Sequence, residues 1–199
     1  MGHFSAEIYA APGSTLNGNQ QIANVTVASG PIACPGVGQV GAAGSCRRRD
    51  NLTAITAHGL EVEAGYRRGI LSTRLSYSYV DARVVARGAF AALDGRRPAQ
   101  VPAHQVSATL GLGNAPHLHG ALTGRYVAGQ FEDDQNGRAL RGAFTLDAFV
   151  AVPLIHGVTL EARGENLGDA TVDAGFSNSL RERARPRSLW IGLRAALGR

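Results

Sequence analysis

The sequence predicts an all-β protein: an antiparallel up-and-down segment of a transmembrane β-barrel, with about eight strands, short turns on one side and long loops on the other. Three observations carry the prediction. Residues alternate between apolar and polar over runs of strand length, the connections between those runs alternate between short and long, and no stretch of about 18 apolar residues offers a membrane-crossing helix. With 44% hydrophobic and 6% aromatic residues and a mean hydropathy of -0.06, the chain is too polar for a helical membrane protein.

The alternation can be followed along the chain. Met1 to Phe4 reads as mid-strand. Leu60, Val62, Ala64 and Tyr66 share one face, while Glu61, Glu63, Gly65 and Arg67 share the other, as side chains two apart on a strand must. Leu71, Thr73, Leu75, Tyr77 and Tyr79 then stand against Ser72, Arg74, Ser76 and Ser78. Val106, Ala108, Leu110 and Leu112 oppose Gln105, Ser107 and Thr109, and Leu118, Leu122 and Tyr126 oppose His119, Thr123 and Arg125. Leu146, Ala148, Val150 and Val152 oppose Asp147 and Phe149. Val158, Leu160 and Ala162 oppose Thr159, Glu161, Arg163 and Glu165, and the last run sets Leu189, Ile191, Leu193, Ala195 and Leu197 against Ser188, Trp190, Gly192 and Arg194.

The connections supply the rhythm. Short turns are expected at Arg67-Arg68-Gly69, at Gly113 to Pro116 and at Ile155-His156-Gly157, and long polar loops at 30–53, 85–103, 131–142 and 168–186. Transmembrane barrels have short periplasmic turns and longer outward loops, whereas a soluble β-sandwich has no need of that rhythm. Inside a bilayer the backbone must satisfy its own hydrogen bonds, so the apolar face meets lipid and the Glu/Arg face a wet or plugged interior. Tyr66, Tyr79, Tyr126 and Phe131, near strand ends, suit interfacial aromatic girdles.

The formal charge is +5, carried entirely by arginine among the Lys/Arg positions. These arginines are spread over loops and single strand positions with no basic helix, so nucleic acid is not an expected partner. Cys34 and Cys46 flank a Gly/Pro-rich stretch and are either a loop-closing disulfide, which needs an oxidising compartment, or two free thiols; no metal site is expected from them. Arg47, Arg48 and Arg49 are candidate contacts for lipopolysaccharide or an anionic ligand, against the plainer reading of loop charge. Glu132, Asp133 and Asp134 are candidate contacts for a cation or cationic ligand, and the surrounding Asp, Asn and Gly favour a solvated turn. His117 and His119 are two apart with no third ligand nearby, which favours a turn flank over a metal site. No nucleophile elbow, phosphate loop or nucleotide fingerprint occurs, Glu61 and Glu63 show no sign of a catalytic cleft, and neither an enzyme nor a cofactor is expected.

Several segments resemble those of TonB-dependent outer-membrane receptors. They are Ile22-Ala23-Asn24-Val25-Thr26-Val27, read as an upward strand; Arg49-Asp50-Asn51-Leu52 leading to Gly59-Leu60-Glu61; and Tyr77 to Ala82. Arg96 to His104 is similar to the family's proline-set approach to a descending strand, Glu165-Asn166-Leu167-Gly168-Asp169 to its Glu-Asn-Leu-Phe-Asp signature, and Pro186-Arg187 before Leu189 to its final strand. Residues 1–199 then read as one partial receptor barrel, 22–198 matching and 1–21 matching poorly, with Ala10 to Gln21 as a polar insertion.

The resemblance implies the carboxy-terminal part of a barrel of about 22 strands whose plug domain has no counterpart here. It also implies an outer-membrane location, contact with lipid and lipopolysaccharide, and uptake of a small-molecule solute such as siderophore-iron, cobalamin or an oligosaccharide. TonB would be reached only through an absent amino-terminal part. Glu165 and Asn166 would set geometry where the loop begins, and Arg163 would form an interior charge ladder with Glu161 and Glu165. The alternative is an independent small eight-stranded outer-membrane barrel with a structural or adhesive role.

Overall fold

The computed structural model describes residues 2–14, 22–29, 32–34, 38–40, 45–51, 54–155, 157–177 and 180–195, and side chains only beyond residue 53, Ala89 excepted. In chain order the strands are β1 (Gly2–Ser14), β2 (Ile22–Ser29), β3 (Ile32–Cys34), β4 (Gly38–Val40), β5 (Ser45–Asn51), β6 (Ala54–Arg68), β7 (Leu71–Val85), β8 (His104–Gly113) and β9 (His119–Val127). There follow β10 (Gln130–Phe131), β11 (Ala139–Leu140), β12 (Ala143–Pro153), β13 (Val158–Glu165), β14 (Asp173–Ser177), β15 (Leu180–Arg183) and β16 (Ser188–Ala195).

Eight of these form one antiparallel sheet in the order β1-β6-β7-β8-β9-β12-β13-β16, so neighbours in the wall are also neighbours along the chain once the loop strands are set aside. The remaining strands pair as small ribbons, β2 with β5, β3 with β4, β10 with β11 and β14 with β15, all within the long connections. This corrects two sequence expectations. Ile22 to Val27 is a loop ribbon strand paired with β5 rather than a wall strand, because alternation reveals a strand but not its partner. The wall strand at that end is β1, which continues through residues 10–14 with a register shift between Ala11 and Ser14, where an insertion was expected.

The register sorts the side chains. Across the sheet Val62, Tyr77, Val106, Tyr126 and Phe144 fall on one rung, and Leu71, Leu112, Gly120, Val150, Ala162 and Ile191 on another, all on the apolar face. Nothing among the described residues covers that face: Leu112 and Phe144 are each 56% exposed and Ile191 is 80% exposed. A soluble sandwich buries such residues under a second sheet, whereas here they stand exposed on a single one. Among the described residues a small cluster of buried hydrophobic side chains lies at the long-loop end, where Leu93 and Phe90 of the 3-10 turn Gly88–Leu93 pack with Val84, Ala86 and Ile55.

The short turns follow from local backbone demands. Gly69, Gly113 and Gly157 take positive φ, which glycine adopts without steric penalty. At Gly113 a Cβ would also run into the carbonyl oxygen of Leu118. His156 lies outside the described residues. His117 falls in the turn before β9, and its carbonyl lies 2.8 Å from His119 Nδ1, so the two histidines form a turn flank.

Candidate functional site

The polar side of the wall is built from cross-strand pairs. Thr109 and Thr123, opposite each other on β8 and β9, share a hydrogen bond of 3.1 Å. Arg125 pairs with Asp147 across β9 and β12. Glu161 on β13 pairs with Arg194 on β16 at 2.9 Å, while the Arg163 guanidinium lies 5.3 Å from the centre of the Phe149 ring. The expected ladder of Arg163 with Glu161 and Glu165 is therefore not what forms: Arg163 meets the directly opposite Phe149 and Glu161 the diagonal Arg194, so these long side chains find partners across the strands rather than along one. Thr123, Arg125, Asp147, Phe149, Arg163 and Glu165 help line a depression of about 240 Å³ on this face.

At the long-loop end three connections are tied together. Asn136, in the turn between β10 and β11, accepts a hydrogen bond from Arg97 N–H at 2.9 Å and donates to Arg97 O at 2.8 Å. Gln100 N–H donates to Phe131 O at 2.7 Å. Asp173, at the start of the β14–β15 hairpin, accepts from the backbone and side chain of Arg141 at 3.0 to 3.1 Å and from Arg181 at 2.9 Å. Its side chain is fully covered. Hydrogen bonding from Arg141, helped by both guanidinium charges and opposed by desolvation, holds the Asp173 carboxyl well below the usual carboxylate range, and Arg141 is raised in return. Arg138 and Arg181 both lie over the Phe176 ring, at 5.9 and 5.4 Å.

The acidic segment is dispersed by this architecture. Asp133 accepts hydrogen bonds from the N–H groups of Gly137 and Arg138, closing its own turn. Glu132 turns toward Gly175, with Oε2 enclosed and without a hydrogen-bond partner. Among the described residues no three His, Cys, Asp or Glu side chains converge as metal ligands. Arg47, Arg48, Arg49 and Cys46 stand on β5 and Cys34 on β3, while their side chains lie outside the described residues.

The Glu165 to Asp169 segment is a turn held by its own side chains. Asn166 is buried with φ of 49°, donates to Ala170 O at 2.8 Å and accepts from Ala170 N–H at 2.9 Å. Its own N–H donates to Asp147 at 2.9 Å, and Leu167 N–H reaches Leu146 O at 2.8 Å. Asp169, with φ of 51°, accepts from Arg187 N–H at 3.0 Å. Ser188 Oγ donates to Pro186 O at 3.0 Å. Asn and Asp tolerate this left-handed conformation better than most side chains, and here it turns the chain out of β13 and aligns it for β16.

The model of the family described as TonB dependent receptor-like, beta-barrel matches residues 9–167. The chain belongs to the TonB-dependent receptor β-barrel family. The match takes in the 10–21 stretch and stops before Pro186 and Arg187, although the observed sheet continues through β16. Among solved structures, the siderophore receptor PiuA from Acinetobacter baumannii is similar at 17% identity and a TM-score of 0.62, with 73% of this chain and 22% of that chain covered. The ferric yersiniabactin uptake receptor FyuA from Yersinia pestis is similar at 17% identity and a TM-score of 0.63, covering 73% and 24%. The FrpB iron transporter from Neisseria meningitidis is similar at 19% identity and a TM-score of 0.52, covering 85% and 27%. No curated protein matches by sequence.

At these identities the structural likeness shows the fold, and the chain spans about a quarter of the length of the receptors it resembles. Membership of the TonB-dependent receptor family gives the outer membrane as its location, and the receptors of that family are transporters and not enzymes. The sequence missed the Asp173 clamp and the Arg97–Asn136 lock. Both join residues about 30 to 40 positions apart in polar loops, where neither periodicity nor motif marks a partner.

Proposed function

We propose that residues 1–199 supply wall and outward loops, as the carboxy-terminal part of the barrel, to a TonB-dependent receptor that takes up a scarce solute: siderophore-iron, cobalamin or an oligosaccharide. The observation that carries this reading is the eight-stranded antiparallel sheet, with one face bare and apolar and the other cross-linked by polar pairs, in a chain of this family. Outer-membrane lipid and lipopolysaccharide meet the apolar face and its rim. TonB acts through an amino-terminal part outside these residues. The chain alone is not transport-competent. Ligand contacts come from the loop cluster, with Arg47, Arg48 and Arg49 and the Glu132 to Asp134 turn as contributors, and Arg138, Arg181 and Phe176 presented beside that turn.

The independent eight-stranded barrel draws less support, because β1 and β16 stand at opposite ends of the sheet and do not pair with each other among the described residues. Uptake of radiolabelled ferric siderophores, cobalamin and oligosaccharides by cells with and without the gene tests the proposal. Accumulation of one solute that needs both the gene and TonB is the expected result. Uptake unchanged by loss of the gene across the panel would count against it.

A further inference from the structure

The apolar outer face does not end where the strands end. Ile70, Leu118 and Leu154 stand one on each of the three described short turns between wall strands, and are 61%, 59% and 51% exposed. Leu118 continues the face of Leu122 and Tyr126, and Leu154 that of Val150 and Val152, by the period of two, while Ile70 lies in the turn itself, one position out of phase with Leu71, and joins them by its exposure. Turn tips in water are ordinarily polar, so a bulky aliphatic residue on every one of these turns calls for a physical cause.

The height of the membrane supplies it. On the same face, toward the long-loop end, Tyr77, Tyr126 and Phe144 share a rung and Tyr79 stands two residues above it, and these rings make the upper aromatic band. A lipid-facing band about 25 Å tall, crossed by strands tilted about 40° with a rise of about 3.4 Å per residue, is spanned by roughly ten residues of strand. Ten residues before Tyr79 is Gly69, beside Ile70; ten before Tyr126 is Pro116, in the turn of Leu118; ten after Phe144 is Leu154. All three paths reach a turn just as the hydrocarbon ends.

We propose that the three short turns are seated in the periplasmic leaflet of the outer membrane, with Ile70, Leu118 and Leu154 against phospholipid acyl chains, rather than projecting into the periplasm. Arg68, exposed one residue before the first turn, then lies at headgroup depth, where a long basic side chain can keep its charge in water. The inference rests on the lipid-facing reading of the sheet and adds how deep the wall sits and what covers its lower rim.

The test uses the protein purified from outer membranes, carrying Cys34→Ser and Cys46→Ser, with an environment-sensitive fluorophore on Ile70→Cys, Leu118→Cys or Leu154→Cys. Leu122→Cys marks the middle of the wall, Ala92→Cys the exposed outer loop, and the labelled parent gives the background. In phosphatidylcholine vesicles containing doxyl-labelled lipid, the turn positions should emit to the blue of position 92 and be quenched to within about twofold of position 122, as apolar rim residues do. Quenching at 122 with aqueous emission at the turns overturns the inference and leaves the lipid-facing wall standing. Blue-shifted turns that lipid does not quench mean a protein cover, which also overturns it. Loss of quenching at 122 removes the wall reading itself. On the unsubstituted protein, a phospholipid with a diazirine in its acyl chain should crosslink to peptides containing Ile70, Leu118 and Leu154. Failure at all three, with the mid-wall peptide labelled, gives the same refutation.

Discussion

Leu110 and Thr109 are neighbours on β8 whose side chains leave the sheet on opposite sides, so one substitution at each position reads out what each side touches. Leu110 is 48% exposed on the apolar face between Thr73 and Leu122, near mid-wall, whereas Thr109 bonds to Thr123 on the polar face. Arginine on the lipid face costs about 2 to 4 kcal/mol near the bilayer midplane. Loss of the apolar contact of Leu110 adds to that figure. At Thr109 arginine forfeits one threonine pair and stands directly opposite Arg74, at about 0.2 to 1 kcal/mol for each, and its charge stays in a wet interior. Urea unfolding of the protein in phospholipid vesicles should therefore show the larger loss for Leu110→Arg, by about 1 kcal/mol or more over Thr109→Arg. Equal losses, or a larger loss at Thr109, would refute the assignment of faces.

The remaining predictions concern the loop end. Asp173→Asn removes the charge that Arg141 and Arg181 enclose, so amide exchange in the β14–β15 hairpin should rise as if about 1 to 3 kcal/mol of local stability were lost, while β7 and β8 keep their protection. Because the folded Asp173 carboxyl lies below its unfolded value, its contribution is complete above about pH 4 and is lost as pH falls further; hairpin protection should not vary between pH 6 and 8, and a loss there would contradict the clamp. Asn166→Ala should cost about 1 to 2 kcal/mol, by the double hydrogen bond to Ala170 and the left-handed backbone, and Asn166→Gly less, since glycine keeps the conformation. Thermal unfolding of the two variants checks the order.

The wall was legible because lipid imposes a rule that sequence records directly. A strand with hydrocarbon on one side and water on the other must alternate, so Leu71 to Tyr79 and Val106 to Leu112 could be assigned to faces before any coordinate was known. Partnering was less legible. Ile22 to Val27 alternates as well as a wall strand does, yet pairs with β5, since the period of two fixes faces and not neighbours. The loop end was the least legible part. A turn at Asp133 was legible from its Asp, Asn and Gly, but composition does not show that the N–H groups of Gly137 and Arg138 close it on the Asp133 carboxylate. Phe149 and Trp190 break the apolar-out pattern by standing on the polar face, where Arg163 and Arg185 cover their rings. Glu165 to Asp169 was readable as a motif, and the structure supplies its physical content: a side-chain-closed turn that passes the chain from β13 toward β16.

The central claim is that one side of this sheet meets hydrocarbon while the other stays wet. Nitroxide labels placed singly along β7 from Leu71 to Tyr79, and at Leu160 and Glu161 on β13, measure it most directly through collision with oxygen and with a water-soluble nickel chelate. Oxygen accessibility should peak at 71, 73, 75, 77, 79 and 160, and chelate accessibility at 72, 74, 76, 78 and 161. The opposite phase, or two profiles that rise and fall together, would contradict the account.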